Sequence, residues 1–243
     1  MLLLDNVSCG YGPMQALTEL NLSVSPGKIT ALLGANGAGK SSTIMCIAGH
    51  VELQAGKIFY NDSDISHDTP VQRVAAGIGL VPEGRRLFPN LTVRENLIVG
   101  GYCRNKTLTG PNIEKVLAMF PRLAERLTQQ AGSLSGGEQQ MLSIGRALMS
   151  QPKLLLIDEL SLGLMPAMID ICYTAITDLK SRGMAILIVE QSTHRALEVA
   201  DDVTVLESGR EVWKGSAEEA RGSSDLIDAF LGLKESEHIQ EIK

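Results

Sequence analysis

Short apolar runs alternate with longer amphipathic stretches along most of this chain. Three of the runs are unbroken: Ile78–Val81, Leu154–Ile157 and Ala185–Val189. Strands that are covered on both faces of a parallel sheet have such runs. Between them lie stretches with helical periodicity, such as Met168–Arg182 and Ser192–Val199. The alternation predicts an α/β fold with a mainly parallel core sheet.

Two regions depart from this alternation of strands and helices: an N-terminal region with several strands and a central region with helices alone. Four further strands are predicted near the N-terminus, at Leu2–Val7, Leu20–Val24, Lys28–Leu33 and Gly56–Tyr60. From about Thr92 to Met149 the pattern is helical and contains no convincing strand. We therefore expect one domain over residues 1–235 with a helical subdomain, about 92–150, inserted into it. Residues 236–243 are mostly polar or charged and are predicted to form a frayed tail.

The composition excludes several classes of function, although it says little about the fold. The chain has 243 residues, and its 22 basic and 28 acidic side chains give a net charge of −6. This balance argues against bulk electrostatic binding of nucleic acid. Its four cysteines are widely spaced, which indicates a reducing compartment and neither a disulfide framework nor a zinc site. The N-terminus does not resemble a signal peptide, and no apolar run approaches the ~18–20 residues that span a bilayer.

A phosphate-binding loop is predicted immediately after an apolar strand. Residues 34–41 read Gly-Ala-Asn-Gly-Ala-Gly-Lys-Ser, which fits G-x-x-x-x-G-K-[ST], and a helix is predicted to begin within Gly39–Ser42. Glycines let several backbone N–H groups point at phosphate oxygens, and the helix dipole adds positive potential there. In such loops the lysine, here Lys40, reaches the β- and γ-phosphates, and the hydroxyl of Ser41 is offered to Mg²⁺.

Two carboxylates follow a buried strand. Leu154–Ile157 is followed directly by Asp158 and Glu159. The carboxyl end of a strand lies at the ligand edge of a parallel sheet. Asp158 is therefore a candidate to hold Mg²⁺ through water, and Glu159 is a candidate general base for an attacking water.

A second anion-binding nest is predicted at a helix start, where residues 134–140 read Leu-Ser-Gly-Gly-Glu-Gln-Gln. With this motif the chain resembles the ATP-binding cassette (ABC) family, whose signature begins LSGG. In that family two cassettes face head to tail, and the signature of each closes over the nucleotide that the other's phosphate loop holds. The resemblance extends over essentially Leu2–Gly232.

The resemblance implies a P-loop NTPase fold with a mainly parallel core sheet, an antiparallel β subdomain and an inserted helical subdomain. It also implies ATP and Mg²⁺ as ligands, with Tyr11 stacked on adenine and a D-loop at 161–164 that crosses the dimer interface. The predicted nucleotide-binding residues are Tyr11, Gly34, Ala35, Asn36, Gly37, Ala38, Gly39, Lys40, Ser41, Ser42, Ser135, Gly136 and Gly137. The predicted metal ligands are Ser41, Glu83 and Asp158, and the predicted catalytic residues are Lys40, Glu159 and Gln191.

The segment Pro82–Arg86, which reads Pro-Glu-Gly-Arg-Arg, resembles the ATP-binding subunits of branched-chain amino acid importers. Glu83 stands where many ABC proteins have Gln, so it offers oxygen ligands and adds negative charge. Gln191 stands where most have a switch histidine, and its amide donates a hydrogen bond but does not titrate. The two arginines either contact a membrane subunit or form a solvated basic turn.

One residue departs from the pattern of this branch. Relatives usually have Pro after the Asp-Glu pair, whereas this chain has Leu160. Loss of the proline frees φ and adds a backbone N–H beside Glu159. Our hypothesis is that Glu159 is positioned less tightly and that turnover is modestly lower.

These features predict an ATPase subunit of an ABC importer for branched-chain amino acids. The expected partners are ATP, a second cassette that is identical or different, two transmembrane permease subunits and, indirectly, an external solute-binding protein, with no nucleic acid. The expected location is the cytoplasmic face of the inner membrane, as a peripheral protein that is soluble when isolated. Three alternatives stay open: transport of another solute such as urea, a non-transport ABC ATPase acting on DNA or ribosomes, and a regulatory cassette without catalysis.

Overall fold

The structure is a computed structural model that describes residues 1–191 and 193–222. Its strands are β1 Leu2–Tyr11, β2 Met14–Val24, β3 Ile29–Gly34, β4 Glu52–Tyr60, β5 Ser63–Asp64, β6 Ile78–Val81, β7 Leu154–Asp158, β8 Ala185–Glu190, β9 Asp202–Glu207 and β10 Arg210–Ser216. Its α-helices are α1 Lys40–Ile47, α2 Pro70–Ala76, α3 Val93–Gly100, α4 Thr109–Met119, α5 Pro121–Ala124, α6 Gly136–Leu148, α7 Pro166–Ser181, α8 Thr193–Val199 and α9 Ala217–Gly222. Short 3₁₀ turns lie at Lys106–Leu108 and Ala131–Ser133.

The larger sheet has six strands in the order β10-β9-β3-β8-β7-β6. Its neighbours pair in parallel, except that β10 runs antiparallel to β9. Every residue of β3, β7 and β8 is buried, which explains the unbroken apolar runs at 154–157 and 185–189. The predicted α/β fold with a mainly parallel core sheet is confirmed.

The smaller sheet is antiparallel, in the order β2-β1-β4-β5. Its buried face shares one apolar core with α1 and with one face of β7 and β8. Helix α1 contacts strands of both sheets, so it lies between them. The start of this helix is therefore held from two sides, which matters because the predicted phosphate loop ends there.

Between β6 and β7 the chain folds as helices α3–α6, with an isolated β-bridge between Thr92 and Gln130. Helices α3 and α6 each begin with a capping box, made by Thr92 with Glu95 and by Ser135 with Glu138. The subdomain boundaries of about 92–150 stay a prediction, and the predicted tail at 236–243 lies outside the described residues. Within the described ranges, no helix is long and apolar enough to cross a bilayer.

A buried arginine secures the far end of α1. Arg73, on α2, is only 3% exposed. Its guanidinium donates to the carbonyl oxygens of Cys46 and Ile47 at 2.6 and 2.7 Å, and to those of Ile65, Ser66 and Asp68 at 2.9–3.2 Å. The last carbonyls of a helix lack partners within it, and a cation there also complements the helix dipole. Arg73 thus fixes the helix that carries the phosphate loop.

Substitution of Arg73 by methionine is expected to lower the free energy of unfolding by about 2–3 kcal/mol, because buried carbonyl groups lose their donors. Denaturant unfolding followed by circular dichroism measures this. Arg182→Met is the matched control, since among the described residues the Arg182 side chain forms an exposed ion pair with Asp178. Exposed pairs contribute about 0–1 kcal/mol, so equal losses in the two variants would contradict the role of Arg73.

Candidate functional site

The loop between β3 and α1 has the backbone shape of an anion-binding nest. Gly37 and Gly39 adopt left-handed φ values of 81° and 99°. A Cβ at Gly39 would lie 2.5 Å from the carbonyl oxygen of Ala16, so no larger residue fits without a shift. The loop runs directly into the N-terminus of α1, where backbone N–H groups lack helical partners. Its geometry therefore suits a phosphate group.

Lys40 is folded back onto this loop. Its ammonium donates to the carbonyl oxygens of Gly34 and Ala35 at 2.8 and 3.0 Å, and the residue is only 4% exposed. Burial lowers the pKa of Lys40, while the nearby carboxylates of Glu159 and Asp158 act in the opposite direction. Charge-assisted bonds to phosphate oxygens are stronger than bonds to neutral carbonyls. The amine is thus poised to exchange these carbonyls for a ligand's phosphate.

Asp158 and Ser41 form a small oxygen-rich site at the end of β7. The Ser41 hydroxyl donates to Asp158 Oδ1 at 3.1 Å, whereas the buried Oδ2 has no partner among the described residues. Burial raises the pKa of Asp158 to about 6. An adjacent cation would have the opposite effect, because it favours the carboxylate. A buried, unpaired carboxylate oxygen beside a hydroxyl fits a hard divalent cation such as Mg²⁺.

Glu159 follows in an unusual backbone conformation. Its φ is 50°, a left-handed value that is uncommon for residues other than glycine. Its N–H donates to the carbonyl oxygen of Val189 at 2.9 Å, so the backbone is anchored to β8. Such outliers persist where the surrounding structure holds them, often at functional sites.

Leu160 is completely buried in the apolar core. The residue after Glu159 is therefore held by side-chain packing, in place of the ring constraint that a proline would supply. The hypothesis that Leu160 loosens Glu159 stays a prediction, and this packing is an argument against a large effect.

An open cleft of about 810 Å³ collects most of the predicted residues. The predicted residues that line it are Tyr11, Asn36, Gly37, Gly39, Lys40, Ser41, Ser42, Glu83, Glu159 and Gln191. Three further residues of the phosphate-binding motif, Gly34 at the end of β3 and Ala35 and Ala38 in the loop, are not among the residues that line the cleft. The fold therefore brings the phosphate loop, the acidic strand end and the residues at 83 and 191 to one place.

Besides Leu162 of the predicted 161–164 loop, five lining residues were not predicted from the sequence: Met14, Gln15, Ala16, Ser208 and Gly209. They come from the start of β2 and from the turn between β9 and β10. Gly209 connects these parts, since its N–H donates to Ala38 O at 3.0 Å and its carbonyl accepts from the Thr18 N–H at 2.8 Å. No local motif marks these residues, because only the packing of distant strands brings them to the loop.

The signature residues Ser135, Gly136 and Gly137 lie elsewhere. Ser135 is the N-cap of α6 and is exposed. Among the described residues, those that line the cleft include none of these three. One copy of the chain thus presents two separate anion-binding features.

The segment of Gly84, Arg85 and Arg86 connects the cleft to the signature helix. All three residues have left-handed φ values, between 46° and 68°. The Arg85 carbonyl accepts bonds from Ser143 and Arg146 of α6, both at 3.0 Å, and the Arg86 carbonyl accepts from Arg146 at 2.7 Å. The two predicted arginines are therefore part of a bonded loop that lies directly after Glu83.

Comparisons with known proteins identify relatives along nearly the whole chain. The model of the ABC transporter family matches residues 17–161. The high-affinity branched-chain amino acid transport ATP-binding protein BraG of Pseudomonas aeruginosa is 45% identical over 232 residues, which cover 96% of this chain and 100% of BraG. The probable branched-chain amino acid transport ATP-binding protein LivF of Archaeoglobus fulgidus is 35% identical, with 96% and 99% covered.

Among solved structures, a nucleotide-free ATP-binding cassette from an ABC transporter superposes with a TM-score of 0.85 at 26% identity, covering 96% of this chain and 97% of that one. The resemblance seen in the sequence is thus confirmed along nearly the whole chain. With the phosphate loop, the acidic strand end and the separate signature helix, these matches show that the chain belongs to the ABC transporter family as an ATP-binding cassette.

Proposed function

We propose that this chain is the ATP-hydrolysing subunit of an importer for branched-chain amino acids. The observation that carries the proposal is that one cleft gathers Lys40, Ser41 and Glu159, and that Asp158 accepts a hydrogen bond from Ser41. The solute is proposed from BraG, whose name describes branched-chain amino acid transport and whose whole length this chain matches.

The cleft supplies what hydrolysis of a nucleoside triphosphate needs, which is mainly positioning and neutralisation of charge. Loop N–H groups and Lys40 bind the phosphates, and Tyr11 stacks on the adenine. Glu159 orients the attacking water and accepts its proton, while the Gln191 amide donates to the terminal phosphate. Ser41, Asp158 and Glu83 would hold Mg²⁺. When bound, this ion neutralises charge on the phosphate oxygens.

A second cassette completes the nucleotide site in this proposal. ABC cassettes of importers act as pairs together with permease subunits. The signature of this chain is not among the residues that line its own cleft, and of its three residues Ser135 is exposed, Gly136 is half-buried and Gly137 is buried. Ser135, Gly136 and Gly137 then contact the nucleotide of the partner cassette, which is identical or a close relative. ATP binding closes the pair, and hydrolysis reopens it.

The proposed permease face lies beside the Gly84–Arg86 loop. Phe88, Ile98, Val99 and Tyr102 are exposed apolar residues on or near α3, and Tyr102 is 94% exposed. The Phe88 ring also lies 5.6 Å from the Arg146 guanidinium, which binds the loop. An apolar face joined to the cleft in this way supports the docking of a membrane subunit. With such a partner the protein would act at the cytoplasmic face of the inner membrane. An external solute-binding protein acts through the permeases.

The test is ATP hydrolysis by the assembled transporter. The chain is co-expressed with candidate permeases and a candidate second cassette from the same organism, purified as a complex and reconstituted in proteoliposomes with a candidate binding protein. We expect leucine, isoleucine or valine to stimulate phosphate release at least several-fold over the unloaded assembly.

The controls separate the alternatives. Stimulation by urea but not by branched-chain amino acids would move the chain to another solute. Saturable ATP binding without hydrolysis in the complete assembly would indicate a regulatory cassette. Purification with ribosomes or DNA and without permeases would support a non-transport ATPase.

A further inference from the structure

Glu190 is a buried carboxylate that the mechanism above does not use. It ends β8, directly before Gln191, and is only 1% exposed. Burial raises the pKa of Glu190, while hydrogen bonds from Ser161 and Tyr173 act in the opposite direction. A buried charged group is costly unless it is well bonded, so its bonding partners indicate what it holds in place.

The Glu190 carboxylate joins two separate parts of the chain to the end of β8. Its Oε1 accepts from the Ser161 N–H and from the Tyr173 hydroxyl, both at 3.1 Å, and its Oε2 accepts from the Ser161 hydroxyl at 2.8 Å. Ser161 begins the loop that follows Glu159 and Leu160, and Tyr173 lies on α7. One side chain thus bonds both the backbone and the hydroxyl at the start of the 161–164 loop.

Two further features show that this is a connected unit. A hollow of about 350 Å³ is lined by Glu159, Glu190, Gln191 and the start of the 161–164 loop. An ion pair of 2.7 Å between Arg195 and Asp170 joins α8 to α7. The chain around Gln191 is therefore linked to the chain after Glu159 at two places. One is the buried Glu190 carboxylate, and the other is the ion pair between Arg195 and Asp170 at the surface.

We propose that Glu190 is a positioning residue for hydrolysis, which fixes the 161–164 loop through Ser161 to the strand end that presents Gln191. In this arrangement a displacement of the loop by the partner cassette moves Gln191 and Glu159 together. The inference rests on the proposed ATPase function. It adds the residue that fixes the segment carrying Glu159 relative to the segment carrying Gln191.

The test compares three variants in the reconstituted complex. Glu190→Leu keeps the approximate size but removes both acceptor oxygens. Glu190→Gln retains an oxygen at the Oε1 position, and its amide can donate to the Ser161 hydroxyl, which rotates to accept. Ser161→Ala removes one donor and leaves Glu190 charged. Tyr173→Phe is the matched control, because it removes a bond to Glu190 without touching the loop.

We expect Glu190→Leu to lower kcat at least about tenfold with little change in the KM for ATP, since a small displacement of catalytic groups is costly. Glu190→Gln should restore most of the rate, and Tyr173→Phe should stay near the parent. The effects of Glu190→Leu and Ser161→Ala should be non-additive in the double variant. If Glu190→Leu does not fold, Ser161→Ala should still lower kcat more than Tyr173→Phe does.

Two results would overturn the inference while leaving the proposed function intact. One is a Glu190→Leu variant that hydrolyses ATP at the parental rate. The other is a parallel loss of kcat, ATP affinity and thermal stability that Glu190→Gln does not restore, which would make Glu190 structural only. Absence of hydrolysis by the parent complex would instead overturn the proposed function, and the inference with it.

Discussion

Replacement of Glu159 by glutamine is expected to lower ATP hydrolysis by about 10²–10³-fold while ATP still binds. The amide keeps the size of the side chain, so the cleft and the left-handed backbone at this position are preserved. It cannot accept the proton of an attacking water at neutral pH. Because the bound triphosphate then persists, we also expect a stable, ATP-dependent cassette dimer.

Two measurements check this expectation. Steady-state phosphate release gives the rate, and size-exclusion chromatography with light scattering gives the mass with and without ATP. Glu52→Gln is the control, since Glu52 is an exposed residue of β4 outside the cleft. Near-parental hydrolysis by Glu159→Gln would remove Glu159 from the role of general base.

Replacement of Lys40 by alanine is expected to lower hydrolysis by about 10²–10³-fold and also to weaken ATP binding. Lys40 is the cation of the phosphate loop, and its ammonium is already buried against loop carbonyls. Without it, the negative charge of the β- and γ-phosphates is neutralised only by backbone N–H groups and a metal ion. Unlike Glu159→Gln, this variant should form no ATP-dependent dimer.

Titration with a fluorescent ATP analogue, together with phosphate release, separates binding from turnover. Lys57→Ala is the control, because Lys57 is an exposed lysine of β4 whose ion pair with Asp64 is also exposed. Parental affinity and rate in Lys40→Ala would show that the phosphates bind elsewhere.

The catalytic part of the site could be predicted from the sequence because its motifs are local. The phosphate loop is one continuous segment between a strand and a helix, and Asp158 and Glu159 are consecutive residues. In both cases the chemistry requires particular residue types at fixed spacing, so one stretch of chain carries the information. The unbroken apolar runs were predictable for a similar reason, since burial on both faces favours apolar residues along most of a strand.

The supporting parts could not be predicted in this way. The cleft wall at Met14–Ala16 and at Ser208 and Gly209 depends on the packing of strands that are far apart in sequence. Arg73 reads as a surface residue of an amphipathic helix, and only the fold reveals its bonds to five backbone carbonyls. No local pattern marks Glu190, because its partners are 29 and 17 positions away.

The separation of the signature from the cleft bears on genetics as well as chemistry. In a head-to-tail pair, Lys40 and Ser135 of the same chain serve different ATP molecules. When the two cassettes are unlike, a lesion at Ser135 here and a lesion in the partner's phosphate loop disable the same composite site and spare the other. Lesions at Lys40 and Ser135 on this one chain disable both sites, so we expect the intragenic double mutant to lose more activity than the intergenic one, which keeps one intact site.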